Sequence, residues 1–355
     1  MELRIGNRLI ADSSPCYFIA DISANHDGSL ERAVELIALA SEAGADAAKF
    51  QNFRAEHIVS DLGFRNLGRS LAHQRHWKKS VYEIYEDASI PFEWTPILKE
   101  ECARKSIEYL STPYDFEALE MLDPYVKAFK IGSGDITWSE FLRRVAGTGK
   151  PVILSTGASS FAEVKTAVEE IRAINPKLVL LQCNTNYAGS AENISNVNLK
   201  VLESYREAFP SVILGLSDHT PGDTTVLGAI SLGARVVEKH FTDDPRRIGP
   251  DHAFSMTPEG WASMLSRARE LEKALGSSIK RVESNESETV IVQRRCLRAA
   301  RHIGAGETIS RGMVSVLRPA TLGALMPNEI DSVIGSKARV NIAAGRELFA
   351  DDLTA

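Results

Sequence analysis

Two lysines and two histidines carry the chemistry most readily read from this chain. Lys49 and Lys130 stand at the ends of short apolar runs, 45–50 and 126–131. Two cations held at run ends suit capture of a phosphate and a carboxylate, and so a polyanionic substrate; a Schiff-base amine is the other chemistry open to either lysine. Lys130-Ile131-Gly132-Ser133-Gly134-Asp135 adds two glycines that let backbone N–H groups approach an anion closely, although most such turns are only turns. His219 and His240 each follow or end a further apolar run. Neutral imidazoles suit Mn, Fe, Co or Zn, and two protein ligands leave positions open for water and a substrate oxygen. One such histidine alone is more often a general acid or a packed side chain; the pair argues for an ion. Glu238, two residues before His240, is expected to face away from it unless the strand ends there, and then to orient a ligand or bind substrate. Asp135, Asp218 and Asp251 are candidate acid–base groups, set against the frequency of Asp in turns. Tyr187 either packs or hydrogen-bonds a substrate hydroxyl. Cys183 reads as a small buried residue, since no Cys/His pairing marks it as a nucleophile.

These residues need a scaffold that brings distant segments together. Apolar runs at 17–22, 45–50, 107–110, 126–131, 152–154, 178–181, 212–216 and 236–237 alternate with amphipathic stretches such as 30–42, 161–174 and 199–209. Runs without polar alternation are expected where both faces of a parallel sheet are covered. Eight such units suit a closed (β/α)8 TIM barrel of α/β class, whose chemistry sits at the carboxyl ends of the strands. A doubly wound open sheet is the alternative, but no GxGxxG follows the first run. The polar residues fall where a barrel would use them: Asp21, Asn25 and His26 after strand one, Lys49 and Gln51 closing strand two, Ser111 and Thr112 after strand three. Lys130, Ser133 and Asp135 follow strand four, Ser155 and Thr156 strand five, and Asn184 to Tyr187 strand six. Asp218 and His219 follow strand seven, and Glu238, Lys239 and His240 end strand eight. In a barrel all of them converge on one mouth.

The 63–87 segment, with His73, His76, Trp77, Lys78 and Lys79, is longer than a usual barrel connection; it reads as a substrate lid or as a packed helix. The loop at 243–251 reads as an active-site loop or a solvated turn. The expected division is a barrel over 1–280, a charged linker over 281–292 and a small β-rich module over 293–355, too small to be very stable alone. The chain has 355 residues and a formal charge of −6, with no basic footprint for nucleic acid. No run is long and apolar enough to span a bilayer. Cys16, Cys102, Cys183 and Cys296 are scattered and, with no signal-peptide pattern at the start, suggest reduced thiols in a cytoplasmic protein.

Several stretches together resemble the N-acetylneuraminate (sialic acid) synthase family: Phe18-Ile19-Ala20-Asp21-Ile22-Ser23-Ala24-Asn25-His26-Asp27-Gly28, Ala48-Lys49-Phe50-Gln51, Leu110-Ser111-Thr112-Pro113, the Lys130–Asp135 stretch, Leu154-Ser155-Thr156-Gly157, Leu216-Ser217-Asp218-His219-Thr220, Val237-Glu238-Lys239-His240-Phe241-Thr242 and Gly249-Pro250-Asp251-His252. The tail, with Val316-Leu317-Arg318-Pro319, is similar to that family's antifreeze-like (SAF) domain. The resemblance implies a TIM barrel plus SAF module, assembled as a domain-swapped homodimer. It implies that phosphoenolpyruvate condenses with an acylamino sugar aldehyde, and that His219 and His240 hold a divalent ion, Mn or Mg. Lys49, Thr112, Lys130, Ser133, Ser155 and Thr156 would bind phosphoenolpyruvate. Asp21, Gln51, Asn184, Tyr187, Asp218, Glu238 and Asp251 would serve the substrates, and the partner's SAF module would bring its Arg318 to the sugar. Asp135, Asp21 and Lys130 would be catalytic, Asp135 handling the proton of an attacking water. Asp21 and Asp135 stand where many members carry Glu, and Ala188 follows Tyr187 where the common pattern has Pro. N-acetylmannosamine is the default acceptor; a 2,4-diacetamido sugar leading to legionaminic or pseudaminic acid, or a surface-polysaccharide sugar, competes with it. The rival readings are a synthase acting on a phosphorylated sugar and a non-catalytic carbohydrate-binding protein.

Overall fold

The computed structural model describes residues 2–67, 74, 77–186 and 191–354. The chain divides into two compact units, Met1–Gly276 and Ser277–Ala355. The first opens with an antiparallel hairpin of β1 (Glu2–Ile5) and β2 (Arg8–Ala11) that the apolar runs did not announce. Eight parallel strands then close into a barrel: β3 (Tyr17–Asp21), β4 (Ala47–Asn52), β5 (Glu108–Pro113), β6 (Phe129–Ile131), β7 (Val152–Ser155), β8 (Leu178–Cys183), β9 (Ile213–Asp218) and β10 (Val236–His240), with β10 pairing back onto β3. Every expected run is a barrel strand.

The side-chain period of two explains how one set of strands makes both a core and a site. On the inner face, Tyr17, Ile19, Ala47, Leu110, Ala128, Ile153, Val179, Leu181, Ile213 and Val236 form an apolar plug, closed by Leu3, Ile5 and Ile10 of the hairpin. The next inward positions toward the carboxyl ends are polar: Asp21, Lys49, Thr112, Lys130, Ser155, Ser217 and Glu238. Gly215 sits between Ile213 and Ser217 because a Cβ there would lie 2.2 Å from the Val236 carbonyl oxygen.

The outer face is mostly apolar, with Phe18, Phe50, Phe129, Leu154, Leu180, Leu216 and Val237 packed under the helices. Helix Phe161–Ile174 shows how the sequence builds this layer. Ser160 and Glu163 form a capping box, and Val164, Ala167, Val168 and Ile171 recur at i, i+3, i+4 and i+7 to bury one stripe. Each such Val or Ile contributes about 1.5–3 kcal/mol when fully buried.

The 63–87 segment contains the end of helix Asp61–Asn66 and most of helix Val81–Ala88; His73 and His76 lie outside the described residues. The second unit holds its own core around Leu297, Ile303, Ile309, Val314, Val333, Ile342 and Leu348. The stretch expected as a weakly structured linker instead carries helix Ser287–Gln293. Among the described residues no helix is long and apolar enough to cross a membrane.

Candidate active site

The carboxyl ends of the barrel strands enclose a polar cavity of about 330 Å³, its open mouth included, lined by Asp21, Lys49, Gln51, Thr112, Tyr114, Lys130, Gly132, Ser133, Ser155, Cys183, Ser217, His219, Glu238 and His240. Lys49 and Lys130 are 2% and 3% exposed. Lys49 Nζ lies 2.8 Å from Asp21 and 3.9 Å from Glu238, and Lys130 Nζ lies 3.5 Å from Glu238. Burial opposes both ammonium charges. At Lys49 the Asp21 and Glu238 carboxylates outweigh it and hold the pKa above its usual value. At Lys130 burial wins over the single nearby Glu238, and the pKa is lowered. An anion entering beside Lys130 would favour its charged form.

Asp21 Oδ1, Glu238 Oε2, Ser155 Oγ and, beside the cavity, Asp135 Oδ2 are buried with no hydrogen-bond partner. Orphaned polar atoms are rare in folded interiors, and several around one cavity fit a place for a polar ligand. Asp135 stands in the short 3-10 turn Ser133–Asp135 after β6. Burial raises its carboxyl to about 6, with Lys130 opposing. Ser133 Oγ accepts from the Gly157 N–H at 2.9 Å, which ties the loops after β6 and β7 together.

His219 and His240 face each other with ring centroids 5.3 Å apart. His219 Nδ1 donates to the Asn184 carbonyl at 3.0 Å, which fixes Nε2 as the lone-pair nitrogen. Burial and the neighbouring His240 lower the His219 pKa to about 3, so the ring is neutral near pH 7, the form that ligates metals. His240 Nε2 lies 3.5 Å from Asp21 and His240 Nδ1 lies 4.0 Å from Asp251. Among the described residues no group of three or more His, Cys, Asp or Glu gathers as a metal cage. Two imidazoles with carboxylates beside them fit an ion that keeps open positions.

Asp251 is held by Ser23 Oγ at 2.5 Å and the Ala24 N–H at 3.3 Å. Its loop is anchored by His252, which has no exposed surface: its ring nitrogens meet Asp27 at 2.8 Å and Thr242 at 2.7 Å. Arg247 and Arg32 close on the same Asp27.

Strand parity sorts the expected residues. Glu238 shares the inner face with His240, against the expectation that it would turn away, because residues two apart on a strand point the same way. Thr156 and Asp218 follow inward Ser155 and Ser217, and neither lines the cavity. Thr156 Oγ1 donates to the Leu181 carbonyl and accepts from Tyr205. Asp218 is taken up by Lys239, Thr220 and Thr225. Asn184 lines a crevice with Asn186 and Asn193 that shares Ser217 and His219 with the cavity. Tyr187 lies outside the described residues, and Arg318 is exposed in the second unit directly after strand Val314–Leu317. Tyr114, Cys183 and Ser217 line the cavity without having been singled out for it. Parity counted back from His219 would have found Cys183's neighbour Ser217; Tyr114, beyond the end of β5, carries no such signal.

Comparison with known proteins identifies a family and a fold for the chain. A model of the NeuB family matches residues 36–280, and a SAF domain model matches residues 294–354. The N,N'-diacetyllegionaminic acid synthase of Legionella pneumophila is 34% identical over 351 residues, 97% of this chain and 96% of that protein. The pseudaminic acid synthase of Campylobacter jejuni is 34% identical over 358 residues, 99% of each. The crystal structure of an N-acetylneuraminic acid synthetase from Leptospira borgpetersenii, in complex with citrate, superposes with a TM-score of 0.71 at 29% identity, covering 82% of this chain and 95% of that one.

Proposed function

The chain belongs to the NeuB family and ends in a SAF domain, and from that premise we propose that it condenses phosphoenolpyruvate with an acylamino sugar aldehyde to give a nonulosonic acid and phosphate. The observation that carries this reading is the pair of buried lysines in one cavity with the facing imidazoles of His219 and His240. Lys49, Lys130, Thr112, Ser133 and Ser155 bind the phosphate and carboxylate of phosphoenolpyruvate, supplying fixed charge and hydroxyl donors. Asp21, Glu238 and Asp251 face the sugar. The two histidines, with Asp21 and Asp251 beside them, would hold Mn or Mg, which when bound polarises a carbonyl.

In the reaction, C3 of phosphoenolpyruvate forms a bond to the aldehyde carbon. Water adds to C2, and the bond between C2 and the phosphate oxygen breaks, leaving a 2-keto-3-deoxy acid and inorganic phosphate. Asp135 takes the proton of the entering water. A carboxyl near 6 is ionised at neutral pH yet basic enough for that task. N-acetylmannosamine or a 2,4-diacetamido sugar is the acceptor, and the partner of a homodimer supplies its Arg318 to the sugar side.

Phosphate release from phosphoenolpyruvate with Mn, against a panel of free and 6-phosphorylated acylamino sugars, tests the proposal. Release with a free sugar, stopped by a chelator, supports it. Release only with a phosphorylated sugar replaces the acceptor, and silence across the panel removes the reading.

A further inference from the structure

The outward face of β9 and β10 carries a buried ion pair that the condensation does not use. Lys239 Nζ lies 2.5 Å from Asp218 Oδ2, and both side chains are 1% exposed. The strand register sets Lys239 directly beside Asp218. One rung below, on the inner face, Ser217 donates to Glu238 at 3.0 Å. One residue beyond, again on the inner face, come His219 and His240. Asp218 also accepts from Thr220 Oγ1 at 2.9 Å and Thr225 Oγ1 at 3.0 Å, and Lys239 Nζ donates to the Thr220 carbonyl. The pair therefore grips the residues on both sides of His219 from the residue that precedes His240.

We propose that Asp218 and Lys239 are positioning residues that fix the separation and orientation of the His219 and His240 imidazoles for a shared divalent ion. This rests on the reading of the two histidines as ion ligands. A buried ion pair is a weak stabiliser, since an apolar pair of similar volume often does as well. It does fix direction: an ammonium bound to one carboxylate and one carbonyl cannot rotate or slide as two apolar side chains can. The pair also sets strand register, which decides whether His240 faces the cavity or the helices. The hydroxyls of Thr220 and Thr225 hold Asp218 in turn, so the constraint extends into the chain that leaves β9.

The test measures ion binding directly, on the full chain and without turnover. Free Mn is titrated by electron paramagnetic resonance, and Co is read by its visible d–d bands, for wild type, Asp218→Asn/Lys239→Met and His219→Ala/His240→Ala. Thermal unfolding in chelator accompanies each. The Asp218→Asn/Lys239→Met protein leaves no buried charge unpaired; it should melt near wild type, bind Mn about 10- to 100-fold more weakly and shift the Co bands. Wild-type Mn affinity and an unchanged Co spectrum in that variant overturn the inference while the histidine reading stands. Equal binding by wild type and His219→Ala/His240→Ala removes the histidine reading and the inference with it. If the double variant does not fold, Thr225→Val withdraws one hydrogen bond from Asp218. A loss of Mn affinity of about threefold or more then supports the proposal, and no loss overturns it.

Discussion

Replacing Asp135 with Asn should sharply slow turnover and at the same time stabilise the protein at neutral pH. Burial lifts this carboxyl from an ordinary 3.8 to about 6, against the pull of Lys130. At 1.36 kcal/mol for each tenfold, that displacement corresponds to about 3 kcal/mol at pH 7 and above. The folded value lies above the unfolded one, so the folded state holds the proton more tightly between about pH 4 and 6. Stability contributed by that proton is present at low pH, falls as pH rises through 6, and is absent above. Asparagine mimics the protonated side chain and should escape the loss. The variant should therefore melt about 5–10 °C above wild type at pH 8 and converge with it near pH 4, given the usual melting-point shift for a unit of this size. Scanning calorimetry across pH 4–8 reads this directly. The same group predicts an acid limb near pH 6 in the wild-type kcat/KM profile, absent in the variant, with turnover lowered about 10²- to 10⁴-fold. An Asn variant no more stable than wild type at pH 8, or one that keeps the acid limb, would refute the assignment.

Lys49→Met removes the cation between Asp21 and Glu238. It should lose phosphoenolpyruvate binding in calorimetry and about 3–5 kcal/mol of stability, because a buried carboxylate is left unpaired. His240→Ala should abolish condensation while near-ultraviolet circular dichroism stays native; normal turnover would sink the ion assignment. His252→Ala frees the loop that carries Asp251 from Asp27 and Thr242. Steady-state kinetics should show the acceptor KM rising about tenfold or more with the phosphoenolpyruvate KM little changed, since the loop positions only the sugar side.

Why some of this was legible in the sequence and some was not follows from strand geometry. The barrel strands are covered on both faces, so each appears as a short, mainly apolar run without strict polar alternation, and all eight are readable. The polar residues that close those runs also declared the mouth. What a run cannot declare is which of its last two residues points inward. That depends on register against neighbours, so Thr156 and Asp218 lie off the cavity while Glu238 shares the inner face with His240. The hairpin Glu2–Ile5 with Arg8–Ala11 has only four residues a side, and only the first strand alternates, too little to separate from a loop. Helix Ser287–Gln293 buries none of its side chains, so it shows no apolar stripe. Asp218 is the instructive case: its position in Ser217-Asp218-His219 suggested a substrate contact, whereas its carboxylate is consumed by Lys239 on the far side of the strand.

The measurement that bears most directly on the condensation uses phosphoenolpyruvate carrying oxygen-18 in the bond between C2 and phosphorus. The protein is supplied with Mn and an acylamino sugar, and phosphate and organic product are weighed by mass spectrometry. The account predicts a keto acid three carbons longer than the acceptor, with the label entirely in the released phosphate. Label retained in pyruvate, or phosphate formed without the longer acid, would contradict it.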